Sequence, residues 1–206
     1  MRKVVLGMMA TLKGRVDDPD AWMTGIGDDL YRDIDACFER CVNTVLVGRT
    51  TYDEMYAYWP GAEHEPSSRI GDQIPLQDSA QEINRRMAQK MNAYQKFVLT
   101  QNGRAEALDW SNAELVSARS DEELVRFISQ LKMRPGRDIH LAGGARLAQS
   151  FVRLGLVDEY YFHVHPVLST GATPFDTVEG KCALHLLGIT PYEAGVVSLR
   201  YAPAAG

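Results

Sequence analysis

The stretch Ile139-His140-Leu141-Ala142-Gly143-Gly144-Ala145-Arg146-Leu147 runs an apolar segment into two glycines and then directly into a segment of helical character. Few architectures accept that junction. Paired glycines let the backbone approach a ligand without a Cβ in the way. The N–H groups of a first helical turn then face outward, aided by the helix dipole, and form a seat for an anion. Arg146 adds a forked cationic donor. A second junction, Val45-Leu46-Val47-Gly48-Arg49-Thr50-Thr51, repeats the order of apolar run, glycine, arginine and small residues. A tight strand-to-helix turn in any α/β protein has the same grammar. It is the repetition that points to one extended, phosphate-bearing ligand gripped from two sides.

The rest of the chain supports an α/β reading. Residues 3–11 are strand-like, and 12–27 read as a loop rich in Gly, Asp and Pro. Asp28 and Asp29 open a helix whose apolar face is Leu30, Ile34, Phe38 and Cys41. Residues 44–47 form a strand and 50–59 a short helix, and 60–78 read as a loop. Ser79-Ala80-Gln81-Glu82 and Ser120-Asp121-Glu122-Glu123 are capping-box patterns, each ahead of a helix. Strands are expected over 96–100, 114–118, 138–142 and 158–165, with a helix over 144–154. Two terminal strands near 182–190 and 195–202 flank a hairpin-like connection over 190–194. Strands alternating with helices imply a mainly parallel sheet with right-handed crossovers, edged by a C-terminal antiparallel hairpin. Residues 1–206 read as one domain, without repeats or a linker.

Composition narrows the partners. With 206 residues, 45% of them hydrophobic, the chain can bury a full core. A net charge of −5 disfavours a dedicated nucleic-acid binder. The three cysteines, Cys37, Cys41 and Cys182, read as thiols of a reducing compartment. Arg2 and Lys3 ahead of Val4-Val5-Leu6 imitate a signal peptide. The apolar run is short and soon interrupted, so a buried first strand and a cytoplasmic home are expected, with no membrane partner.

Several motifs, taken together, identify a family resemblance. They are Met9-Ala10-Thr11-Leu12-Lys13-Gly14-Arg15, Val47-Gly48-Arg49-Thr50-Thr51-Tyr52 and Lys96-Phe97-Val98-Leu99-Thr100. Later come Ala142-Gly143-Gly144-Ala145-Arg146-Leu147, Gly155-Leu156-Val157-Asp158-Glu159-Tyr160 and His165-Pro166-Val167-Leu168. Over nearly its whole length the chain resembles the dihydrofolate reductase fold. It is most similar to the bacterial branch that includes the reductase domain of riboflavin biosynthesis and its stand-alone relatives. The resemblance implies a three-layer α/β fold and NADPH as hydride donor. Gly48, Arg49, Thr50 and Thr51 match the turn on the cofactor's phosphate side. Leu99 and Thr100 match the strand end beside the adenosine, Gly143, Gly144, Ala145, Arg146 and Leu147 the diphosphate turn, and Ala10 the strand end beside the nicotinamide. Lys13 departs from the Asp common in the riboflavin branch, which leaves the acceptor open.

Pterin reductases hold substrate with a carboxylate at the start of the first helix. Asp28 and Asp29, following Trp22, occupy that place, and Asp29 is the catalytic candidate; capping of the helix is the rival role. His163 and His165 share one face of a strand, but no third residue has metal-ligand spacing, so burial explains them best. Tyr52, Tyr56, Tyr58 and Trp59 form an aromatic cluster that packs the core or stacks on a flat ring. A ribosyl-phosphate acceptor would need cations, for which Lys13, Arg15 and Arg69 are the loop candidates. Two readings stand: an NADPH-dependent reductase of a flat nitrogen heterocycle, either a pterin or a ribosylated aminopyrimidine, and a non-catalytic NADP-binding protein without a substrate pocket. Apolar Leu184, Leu186 and Leu187 on a terminal strand suggest a homodimer.

Overall fold

A computed structural model describes residues 1–23, 26–40, 43–64, 78–101 and 107–204, the side chains of 78 and 79 excepted. Its strands are β1 (Val4–Thr11), β2 (Thr44–Gly48), β3 (Gln95–Thr100), β4 (Ala113–Ser117), β5 (Ile139–Leu141), β6 (Glu159–His165), β7 (Leu184–Pro191) and β8 (Val197–Pro203). Its helices are α1 (Asp28–Arg40), α2 (Arg49–Ala62), α3 (Asp78–Ala93), α4 (Asp121–Met133) and α5 (Ala145–Arg153). The strands form one sheet in the order β4-β3-β2-β5-β1-β6-β8-β7. Every pairing from β4 across to β6 is parallel, and β8 and β7 close the far edge antiparallel.

Alternation along the strands sorts side chains to two cores, one on each face of the sheet. On β2, Val45 and Val47 point to the α1–α2–α3 side and Leu46 to the α4–α5 side; on β3, Val98 opposes Phe97 and Leu99 in the same way. A parallel sheet needs cover on both faces, and these helices supply it, which makes the three layers. Among the described residues no helix is long and apolar enough to cross a membrane.

Two boundaries move from their expected places. Helix α2 continues through Pro60 to Ala62, because a proline in a last turn removes only one backbone bond. The terminal hairpin turns at residues 192–196 and not at 190–194. Pro191 still pairs with Val197, as an edge strand permits, and Gly195, at φ +81°, takes the left-handed turn position. The Ser120 cap forms where expected, Ser120 Oγ accepting from Glu123 N at 3.3 Å, but the Glu123 carboxylate returns to Arg119 N, at 2.7 Å, one residue before the cap. The cap expected at Ser79, together with Cys41 and Arg69, lies outside the described residues.

Candidate functional site

The carboxyl ends of β3, β2, β5 and β1 open into a cleft of about 890 Å³. This is the edge at which ligands of open α/β sheets bind. Both glycine junctions deliver helices to it, and two hydrogen bonds stitch them together. Gly48 N donates to Gly143 O at 3.2 Å, and Gly144 N donates to Thr51 Oγ1 at 3.0 Å. A Cβ on Gly144 would stand 2.9 Å from that same Thr51 Oγ1, so the junction tolerates only glycine there without a shift. Gly143, at φ +98°, also needs to be glycine.

Helices α2 and α5 both begin without a side-chain cap, in contrast to α4, whose cap is its own Ser120 and Glu123. First-turn N–H groups at the cleft are thus left for another acceptor. Gly48, Arg49, Thr50, Thr51, Leu99, Thr100, Gly144, Ala145, Arg146 and Leu147 all line the cleft. Ala10 and Gly143 do not: Ala10 is buried within β1, and Gly143 acts through its backbone. Arg146 is exposed and has no side-chain partner among the described residues. Arg49 forks onto Asp53, Nε lying 3.0 Å from each carboxylate oxygen. On the rim, Asp17 and Asp18 pair with Arg15 and Asp121 with Arg153. One Arg15 guanidinium thus serves two carboxylates and Arg153 matches Asp121, while Glu54 also lines the cleft; Arg49, Arg119 and Arg146 set positive charge against these. The β4–α4 turn adds Ala118, Arg119 and Ser120 to the lining. The sequence marks that turn only as a helix cap.

A second cavity of about 240 Å³ adjoins the cleft and shares with it Gly7, Met8, Met9, Phe38, Trp59 and His140. Tyr31, Ile34, Tyr58 and Met87 make much of the rest apolar and aromatic. The expected aromatic cluster therefore divides. Tyr58 and Trp59 face this cavity, whereas Tyr52 and Tyr56 stack on each other, 4° from parallel, and close against Trp110.

Asn84, His140 and His163 bring polar side chains to the second cavity from three elements, beside Asp20 and the hydroxyl-bearing Tyr31 and Tyr58. Asn84 on α3 donates from Nδ2 to Tyr58 OH at 2.8 Å. His140 on β5 lies against Gly7 and edge-on to Phe38, 5.3 Å between centroids. His163 on β6 is hydrogen-bonded through Nδ1 to Ser198 Oγ. Ser198 in turn meets Tyr192 OH at 2.8 Å, and the Asp33 carboxylate accepts from both Tyr192 and Tyr161. A hydrogen-bonded chain thus runs from the cavity back to α1. Burial, above all, pushes His140 and His163 down to about 4, so both rings are neutral near pH 7. His165 is also buried, edge-on to Trp22.

Asp29 lies outside both linings. Its Oδ1 accepts from Leu30 N at 2.8 Å and its Oδ2 from Glu193 N at 2.9 Å, which fastens α1 to the terminal hairpin turn. One turn further on, Asp33 is the α1 carboxylate hydrogen-bonded to Tyr161 and Tyr192, whereas the buried Asp35 is paired with Arg86 and Lys90. Asp28 does not line either space, and Trp22 is buried with Nε1 donating to Asp17 O at 2.8 Å. Arg15 is held by Asp17, Asp18 and Ser169, so it is not a cation aimed at an acceptor.

Comparison with known proteins follows this geometry. The sequence signature of the RibD C-terminal domain matches residues 2–198. The uncharacterised protein YyaP of Bacillus subtilis is 29% identical over 204 residues, covering 97% of this chain and 94% of its own. Among solved structures, a protein of Shewanella sp. PV-4 named for riboflavin biosynthesis superposes with a TM-score of 0.68 at 17% identity, over 100% of both chains. Dihydrofolate reductase of Enterococcus faecalis, complexed with NADP(H), superposes with a TM-score of 0.61 at 13% identity, over 98% of this chain and 97% of its own.

Proposed function

Because this chain belongs to the RibD C-terminal domain family, we propose that it is a reductase that uses NADPH to reduce a flat nitrogen heterocycle. The observation that carries the reading is the continuity of the two spaces: a long cleft with anion-seating turns opens, at Gly7, Met8, Met9 and His140, into a small aromatic cavity. The donor set of the cleft fits a dinucleotide phosphate. The N-termini of α2 and α5 and the Arg146 guanidinium would hold the diphosphate, Arg49 and Arg119 lie within reach of a further phosphate, and Leu99 and Thr100 would flank the adenosine. NADPH, when bound, supplies the hydride.

The chain's own part is to position the two rings and to dry the space around them. Strand β1 brings Met8 and Met9 to the junction, where a donor ring and an acceptor ring must meet closely. Phe38, Tyr58, Trp59 and Met87 exclude water around the acceptor. A reduction that adds hydride to a ring carbon also needs a proton on a neighbouring nitrogen. His163, neutral near pH 7 and held by Ser198, Tyr192 and the Asp33 carboxylate, would orient that nitrogen by a hydrogen bond, and the proton would come from a solvent water at the mouth of the cavity. The non-catalytic reading requires a lost substrate pocket, and the second cavity weighs against it.

The test is calorimetric titration with NADPH, then loss of nicotinamide absorbance on adding pterins and aminopyrimidines. Micromolar binding is expected, about −8 kcal/mol at a dissociation constant of one micromolar, with oxidation by at least one acceptor. No binding at millimolar NADPH refutes the reading.

A further inference from the structure

We infer that the second cavity takes an uncharged, flat aminoheterocycle without a phosphate, and that Asn84 and His140 are the residues that read its edge. The inference rests on the reading of that cavity as the acceptor's place.

Two observations carry it. First, Asn84 Oδ1 and His140 Nδ1 are buried and have no hydrogen-bond partner. Asn84 is 2% exposed and His140 7%, and both line the one cavity. Buried polar atoms are nearly always paired, and an unpaired one is destabilising unless something else completes it. Here the two orphans come from separate elements, α3 and β5, and meet at one space walled by rings. Tyr58 fixes the far end of the Asn84 amide, so Oδ1 is presented as an acceptor in a set orientation. Phe38 and the bare backbone of Gly7 hold the His140 ring. A neutral imidazole carries one donor and one acceptor nitrogen. Together the pair matches a planar edge that bears an N–H or NH₂ group, with the ring faces against Phe38, Tyr31 and Trp59.

Second, the cavity is small, and among the described residues no cation lines it. Its 240 Å³ lies below the roughly 300–1,000 Å³ typical of sites for drug-sized ligands, so a ring system fills it and a ring with a ribosyl phosphate overruns it. Among the described residues its lining holds no Lys or Arg, and its one acidic residue, Asp20, would repel a phosphate. Of the loop arginines named as candidates, Arg15 is already held by two aspartates and a serine, and Arg69 lies outside the described residues.

The experiment compares two ligands on the same protein by quenching of tryptophan fluorescence, Trp59 being a wall of the cavity. The probes are 5,6-diaminouracil and its 5-phosphoribosylamino derivative, each with saturating NADP⁺ and repeated with pterin in place of the free pyrimidine. The free ring is expected to bind at least tenfold more tightly than the phosphoribosylated compound. Asn84→Leu is expected to weaken the free ring at least tenfold and to leave NADP⁺ affinity unchanged. Equal or tighter binding of the phosphoribosylated compound overturns the inference, as does unaltered ring binding in Asn84→Leu or failure of every free ring to bind. The ligand comparison uses the unaltered protein and stands even if the variant does not fold. Pterin binding without NADPH oxidation would strike instead at the reductase reading, because pterin carries ring C=N bonds that accept hydride, and the two failures are thereby separated.

Discussion

Asp29→Asn separates a catalytic carboxylate from a structural one. The side chain accepts from two backbone N–H groups at once, Leu30 at 2.8 Å and Glu193 at 2.9 Å. An amide has a single acceptor oxygen, so one of those N–H groups must then face an NH₂ group. Losing a charge-assisted hydrogen bond costs about 1.5–3 kcal/mol, and partial exposure at the helix start favours the lower end. Removing a negative charge from the first turn of α1 adds about 0.5 kcal/mol. The sum is about 2 kcal/mol. For a domain of this size each kcal/mol moves Tm by about 2–4 °C, so the variant should melt about 4–8 °C lower. Turnover on a working acceptor, measured well below that Tm, should stay within about twofold, since a tenfold loss would mean about 1.4 kcal/mol in the barrier. The measurements are a thermal melt and a steady-state assay on one preparation. An unchanged Tm with turnover reduced tenfold would refute the structural role and return Asp29 to the chemistry.

Other perturbations reach the cleft, the buried histidines and the sheet edge. Thr51→Val removes the acceptor for Gly144 N and should weaken NADPH about fivefold to tenfold, near 1 kcal/mol for one lost hydrogen bond, while Thr51→Ser keeps the affinity; an unchanged dissociation constant in the valine variant would mean that the stitch between the turns does not shape the site. Arg49→Ala should weaken NADPH more than NADH if its guanidinium meets the ribose phosphate, whereas equal weakening moves it to the diphosphate. His140 and His163 are depressed to about 4 from an ordinary value near 6.5, so between those values the folded protein binds fewer protons than the unfolded chain. Their contribution is complete above about pH 6.5 and is lost as pH falls toward 4, at roughly 1.4 kcal/mol per pH unit for each ring; equal denaturation midpoints at pH 7 and pH 5 would contradict the burial. Leu184, Leu186, Leu187 and Ile189 are 39–57% exposed on β7, the outermost strand, so we propose a homodimer across this edge. Light scattering should find a dimer that Leu186→Lys with Ile189→Lys converts to monomer, and a monomeric wild type ends that proposal.

What could be read in the sequence was what local chemistry controls. Apolar runs broken by glycine gave the parallel strands, and the two glycine junctions lie at one edge because in a parallel sheet every strand-to-helix turn does. Ten of the twelve proposed cofactor positions line the cleft for that reason; the exceptions, Ala10 and Gly143, follow from side-chain direction and from a backbone role that spacing does not encode. The second cavity could not be read this way. Asn84 looks like one more polar residue on an amphipathic helix, and His140 like one polar residue in an apolar strand. Their meaning arises from α3 and β5, far apart in the chain, meeting on one face of the sheet with both polar atoms unpaired. Asp29 misleads for a related reason. Position along α1 placed a carboxylate near the expected site, but Asp29 is taken up by the long-range contact with Glu193, 164 positions away. A periodicity of 3.6 puts residues i and i+4 on one face of a helix, so Asp33 lies toward the same hairpin, where it accepts from Tyr192. Through Tyr192, Ser198 and His163 it is Asp33, and neither of the sequence candidates Asp28 and Asp29, that connects to the second cavity.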